Sequence, residues 1–222
     1  MTNKTKNSFL YENGLSITFL ILAVITITAQ ILTGVCQYNI FLVEHDKNAV
    51  GLWQYLSTGH FIEATFENWE SEFLQMALFV WLTVFLRQKG SSESKAIDGK
   101  EDVDREPQQH PNAPWPVHKG GLLLSIYKHS LTLSLYLLFL ISFFLHWYGS
   151  NKDFNEQQFL EGKPTETMLI YLSNSKFWFE SFQNWQSEFL SIFVIIFLSI
   201  YLREKGSSQS KPVDAPHSET GE

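Results

Sequence analysis

FENWESEFLQMALFVWLTVFLRQKGSS, residues 66–92, returns as FQNWQSEFLSIFVIIFLSIYLREKGSS at residues 182–208. The two stretches align without a gap at an offset of 116 residues, and from Ser57 to Lys95 18 of 39 positions are identical to their partners at 173–211. Agreement of this kind marks an internal repeat. The same offset pairs Tyr11 with Tyr127 and Asn39 with Asn155. Each copy closes on a run of 14 uncharged residues, Phe73–Leu86 and Phe189–Leu202, followed by Arg-x-Lys-Gly-Ser-Ser.

Working outward, each closing run is preceded by another apolar stretch. Leu15–Val35 holds 21 residues without a charge, ~31 Å of helix and about one hydrocarbon core. Leu131–Tyr148 is its counterpart, interrupted only by His146. Lys4 and Lys6 would supply the basic end of a signal peptide, but the first run is too long for one and three more follow, so a retained helix is expected. The 222 residues include 16 Lys+Arg, 23 Asp+Glu and one cysteine, Cys36, for a net charge of −7. Long uncharged runs between charged stretches exclude an ordinary soluble domain and a disordered chain. A single cysteine excludes an intrachain disulfide framework, and the acidic balance argues against a nucleic-acid partner.

These features predict an all-α integral membrane protein with four transmembrane helices, near 15–35, 69–86, 131–148 and 185–202. The two copies, 1–90 and 120–206, form tandem two-helix repeats related by a pseudo-twofold axis along the membrane normal. Residues 91–119, rich in charge, Pro, Gly and Ser, read as a mobile cytoplasmic linker, and 207–222 as a disordered tail. With the N-terminus inside, twelve Lys and Arg fall on the inner side and four on the outer, which places both termini in the cytoplasm of an inner-membrane protein. Arg87 and Arg203 mark helix C-termini and the inner boundary, with Gly90 and Gly206 just beyond. Trp69 and Trp185 are the interfacial anchors at the other end.

A 14-residue span is ~9 Å short of a ~30 Å hydrocarbon core. Starting the helix at Trp69 restores the length and draws Glu72, with Glu188 in the second copy, just inside the outer boundary. Asn68 lies one turn from Glu72, and Asn184 one turn from Glu188, so Asn68, Glu72, Asn184 and Glu188 form a candidate polar or ion site. The plainer reading, a hydrogen bond that fixes the helix start, is preferred for them. His60, Glu63, Glu67 and Glu70 share another helical face and resemble a carboxylate metal set. The second copy has Lys176, Phe179, Gln183 and Gln186 there, so a solvated acidic face is expected rather than a metal site. His146 corresponds to Gln30, and each is expected to make an interhelical hydrogen bond. No phosphate loop, dinucleotide fingerprint, paired-cysteine site or nucleophile elbow is present, so neither a cofactor nor an enzymatic reaction is implied.

The doubled N-W-x-S-E-F-L and R-x-K-G-S-x-x-S-K blocks resemble a family of uncharacterised bacterial membrane proteins, defined as a domain of unknown function. The resemblance implies a bacterial inner membrane and four helices, and it carries no activity. The expected partners are the lipid bilayer and either a second copy or another membrane protein. Two functions are expected: a non-enzymatic scaffold or envelope-stress interaction protein, or a small ion or solute transporter using Glu72 and Glu188.

Overall fold

Four long helices dominate the computed structural model, which describes residues 9–221: Gly14–Glu44, Gly59–Leu82, Ser130–Leu160 and Ser175–Tyr201. No strand occurs among the described residues. Lys4 and Lys6, assigned to the inner side from the sequence, lie outside them. The first, third and fourth helices are long and apolar enough to cross a membrane. The second has 24 residues, ~36 Å, but carries Glu63, Glu67, Glu70 and Glu72 between its fifth and fourteenth residues.

All four helices begin earlier or end later than their apolar runs. Where water competes poorly, a helix is the conformation that satisfies its own backbone, and it continues as long as neighbouring side chains cover its next turn. In the first helix the threonines add no unmet hydroxyl: Thr18, Thr28 and Thr33 each donate to the carbonyl four residues back, at 2.7–2.8 Å. That helix runs nine residues past Val35 because Tyr38 and Leu42 pack with Tyr55 beneath the next loop. Asn39 clasps the loop: its amide donates to the Val50 carbonyl at 3.0 Å, and its carbonyl accepts from the Val50 amide at 2.7 Å. In the third helix Asn155 holds Glu166 in the same two-way bond, at 2.8 and 2.7 Å. Short helices come after both clasps, at Leu52–Tyr55 and Met168–Tyr171. The stretches before Glu72 and Glu188 are helical and continuous with the apolar runs they precede.

Contacts divide the chain into two units, each drawing on both sequence copies. The first takes the chain up to Ala64 together with Tyr148–Thr167. Its core is Tyr38, Leu42 and Tyr55, ringed by Val35, Phe41, Val50 and Phe61. Here two glycines allow backbones to touch. A Cβ on Gly149 would lie 2.5 Å from the Glu63 amide nitrogen, and one on Gly59 would lie 2.3 Å from that of Asp153. Small residues at a crossing are how helices approach without a gap in a lipid environment.

The second unit takes Thr65–Trp147 and the chain from Met168 onward. Phe177 and Tyr171 are fully buried in it, and the Phe143 and Trp178 rings pack on Phe177. The Arg-x-Lys-Gly-Ser-Ser block forms a turn beyond the helix end, which falls at Leu82 in the first case, short of the Leu86 expected, and at Tyr201 in the second. Arg87 Nη1 donates to the carbonyls of Thr83, Val84 and Leu86. Arg203 Nη1 does the same to Ser199, Ile200 and Leu202. Gly90 and Gly206 take φ of 87° and 89°, in the left-handed region. The Ser94 hydroxyl then accepts from the Gln88 amide, and Ser210 from Glu204.

Residues 207–221 differ from the disordered tail expected of their composition, because the first of these turns gives them polar groups to bind. Thr220 Oγ1 accepts from the Gly90 amide at 2.8 Å, and the Gly221 amide donates to the Ser91 carbonyl at 3.1 Å. Lys211 is 2% exposed and donates to the carbonyls of Pro216, His217 and Glu219. Burial, together with the like charge of Arg203, holds its ammonium below the ordinary lysine value. In the linker Lys95 pairs with Asp104, whose carboxyl is held below its usual value by that hydrogen bond.

The glycines make this packing testable. Replacing Gly149 or Gly59 with Ala forces backbone against Cβ, and each should cost ~1–3 kcal/mol or more in detergent unfolding. Gly206→Ala meets nothing within 4 Å and should cost only the left-handed strain, ~1–2 kcal/mol. Gly90→Ala should cost more, since its Cβ would sit 2.3 Å from the His217 carbonyl.

Candidate functional site

His146 sits in an apolar run of the third helix and is fully buried. A ring nitrogen in that setting needs a partner from another helix. Its Nδ1 lies 2.7 Å from Glu70 Oε2, and Glu70 is likewise 0% exposed. Glu70 Oε1 accepts from Trp185 Nε1 of the fourth helix at 2.8 Å. One carboxylate thus ties three helices together. With Glu70 ionised, the hydrogen belongs on Nδ1 of His146, which turns Nε2 into the acceptor or the proton-binding atom.

His146 Nε2 has no hydrogen-bond partner in the structure and lies 3.8 Å from Glu180 Oε2. The other Glu180 oxygen is 3.3 Å from Lys176 Nζ, one turn earlier on the same helix. Side-chain exposure falls along this series, from 33% at Lys176 to 17% at Glu180 and zero at His146 and Glu70. Glu67 is beside it, accepting from the Asn184 amide, and Phe177 packs against the imidazole at 4.9 Å between ring centroids. The result is a line of alternating basic and acidic groups that begins at the surface and ends in the interior.

The positions singled out in the sequence are distributed differently. Glu70 and Glu63 are buried, so the face expected to be solvated is an enclosed one. The cause is partners far away in sequence: His146 and Trp185 for Glu70, and in the first unit Ser150, whose hydroxyl donates to Glu63 at 3.4 Å. His60, also in the first unit, faces the Tyr55 hydroxyl at 3.0 Å. Among the described residues no group of three His, Cys, Asp or Glu side chains is arranged to hold a metal ion.

Asn68 and Glu72 are exposed, while Asn184 and Glu188 are half-buried. Asn184 serves Glu67 rather than Glu188. Trp69 is exposed, whereas Trp185 is drawn inward to Glu70. The expected interhelical bond of His146 is present. Sequence reasoning missed Glu180, because its counterpart is Ala64 and repetition gives it no weight. Its signal is the spacing of Lys176, Glu180 and Asn184, one turn apart on one face.

A model of a domain of unknown function, DUF6766, matches residues 6–222. The chain belongs to that family. No curated protein and no solved structure matches it. The family match carries no activity, so the chemistry of the site rests on its geometry.

Glu70→Ala would strand His146 Nδ1 and Trp185 Nε1 together. The expected loss is ~3–5 kcal/mol of stability, measured by unfolding in detergent. Glu70→Gln keeps an acceptor for the indole and should cost less. In a double-mutant cycle, Glu70→Gln and His146→Gln should couple by ~1 kcal/mol or more.

Proposed function

We propose that this is a multi-pass membrane protein that passes protons or small cations along Lys176, Glu180, His146 and Glu70. The observation that carries the reading is the Glu70–His146 pair, wholly enclosed within long apolar helices. Ionisable groups in such a place are costly, and where they occur they mark ion or proton pathways. The graded exposure of the four residues supplies an approach from the surface. Imidazole is suited to the central place, because its two nitrogens can accept a proton on one side and release it on the other.

The same reading makes Gly59–Leu82 a fourth membrane helix, its carboxylates turned toward the other helices rather than the lipid. The sequence duplication is supported by boundaries that recur at the 116-residue offset: Gly14–Glu44 with Ser130–Leu160, and Leu52–Tyr55 with Met168–Tyr171. We place both termini on the cytoplasmic side of a bacterial inner membrane, on the distribution of Lys and Arg. No reaction is assigned, and the bilayer and a second copy remain the partners we infer. A scaffold role is the second reading. It is favoured by the Trp185–Glu70 and Asn184–Glu67 bonds, which would suit a purely mechanical lock.

Flux into proteoliposomes separates the two. Wild-type protein should acidify vesicles under an applied potential. Glu70→Gln and Glu180→Gln should each lower the rate at least tenfold, and Glu204→Gln should not. Absence of flux from folded wild-type protein would sink the transport reading and leave the scaffold. Loss of flux in Glu72→Gln/Glu188→Gln but not in Glu70→Gln would move the path to the boundary pair.

A further inference from the structure

In the second unit an apolar groove of about 550 Å³ lies between the second and fourth long helices. Leu78, Phe79 and Leu82 form one wall, and Phe189, Phe193 and Ile196 the other. That volume is within the ~300–1,000 Å³ of small-molecule sites. The end of the groove changes character: Arg87 and Glu93 line it there, a cation and a carboxylate at the mouth of an apolar slot.

Comparison with the second turn shows what is particular about Arg87. Both arginines are anchored through Nη1 to carbonyls one to four residues before them, at the end of the helix for Arg203 and in the turn beyond it for Arg87. Arg203 also spends Nη2 on the Ala215 carbonyl, which the tail lays over it at 3.1 Å. His217 then covers Tyr201, at 5.5 Å between ring centroids. In the first turn the tail bonds to Gly90 and Ser91, and Arg87 lines the groove. A guanidinium that lines such a slot is a natural phosphate ligand. Glu93 beside it disfavours a purely anionic ligand and accepts from an ammonium.

We propose that the groove holds one phospholipid with a phosphoethanolamine head, its phosphate on Arg87, its ammonium on Glu93 and an acyl chain between Leu82 and Phe193. A choline head carries no N–H for Glu93, and a glycerol head carries no positive charge, so the pair of side chains selects among heads that share the same phosphate.

The test is native mass spectrometry of the full chain in detergent, with phosphatidylethanolamine, phosphatidylcholine and phosphatidylglycerol of matched acyl chains added at equal concentration. One phosphatidylethanolamine per chain should be retained, at least fivefold over either other lipid. Arg87→Gln should lower retention of all three. Glu93→Gln should erase the preference over phosphatidylcholine while leaving total binding. Phe193→Trp, which fills the slot, should lower binding with an unchanged melting temperature. Equal retention of the three lipids, a preference for phosphatidylglycerol, or a selectivity that survives Glu93→Gln would each overturn the proposal. A drop in melting temperature for Arg87→Gln would shift the decision to Glu93→Gln, whose side chain caps no helix carbonyl.

Discussion

A carboxylate removed from water has to be answered by other groups, and Glu70 is answered from two helices at once. Its desolvation would be prohibitive alone, and the imidazole on one oxygen and the indole on the other make it tolerable. Much else in the second unit is arranged around this constraint. Phe177 closes over the imidazole, Asn184 occupies the neighbouring Glu67, and Glu180 faces the remaining ring nitrogen. Because each group meets a need of the next, none can be removed without exposing another. That is why a polar interior fixes one arrangement of helices more sharply than apolar packing, which tolerates sliding.

The first unit reaches the same end by different means. Its close crossings depend on Gly59 and Gly149, and its aromatic core on Tyr55 beneath Tyr38. The Tyr38 hydroxyl donates to Glu156 at 2.5 Å, so here too a carboxylate is met by a partner from a distant segment. Asn39 and Asn155 turn their loops back toward the helix each has just left, which keeps short helices such as Leu52–Tyr55 close to the core.

Legible in the sequence was whatever depends on near neighbours. Uncharged runs give helices, Arg-x-Lys-Gly gives their ends, and an isolated His146 in such a run demands a bond. The helices and the bond of His146 appear in the structure, but the second long helix stops at Leu82, four residues before its apolar run does. Burial of Glu70 was not legible, since its partners are 76 and 115 residues away and its own spacing suits a wetted face equally well. Glu72 draws attention because repetition preserves it, yet Glu70, Glu180 and His146 are all positions where the copies differ. The enclosed polar line therefore falls on positions that a comparison at the 116-residue offset passes over. Helix length is also underestimated from apolar runs, since the extensions past Val35 and Tyr148 are held by side chains that look like loop residues in one dimension.

The tail has a bearing on the order in which the molecule is made. The turn after Arg87 takes bonds from Thr220 and Gly221, some 130 residues later in synthesis. A nascent chain can form its first two long helices early, but the turn after the second stays unfinished until Thr220 and Gly221 have been made. Until then the Gly90 amide and the Ser91 carbonyl lack the partners that they have in the finished fold. Order at that turn thus depends on chain made well after the helix that the turn follows.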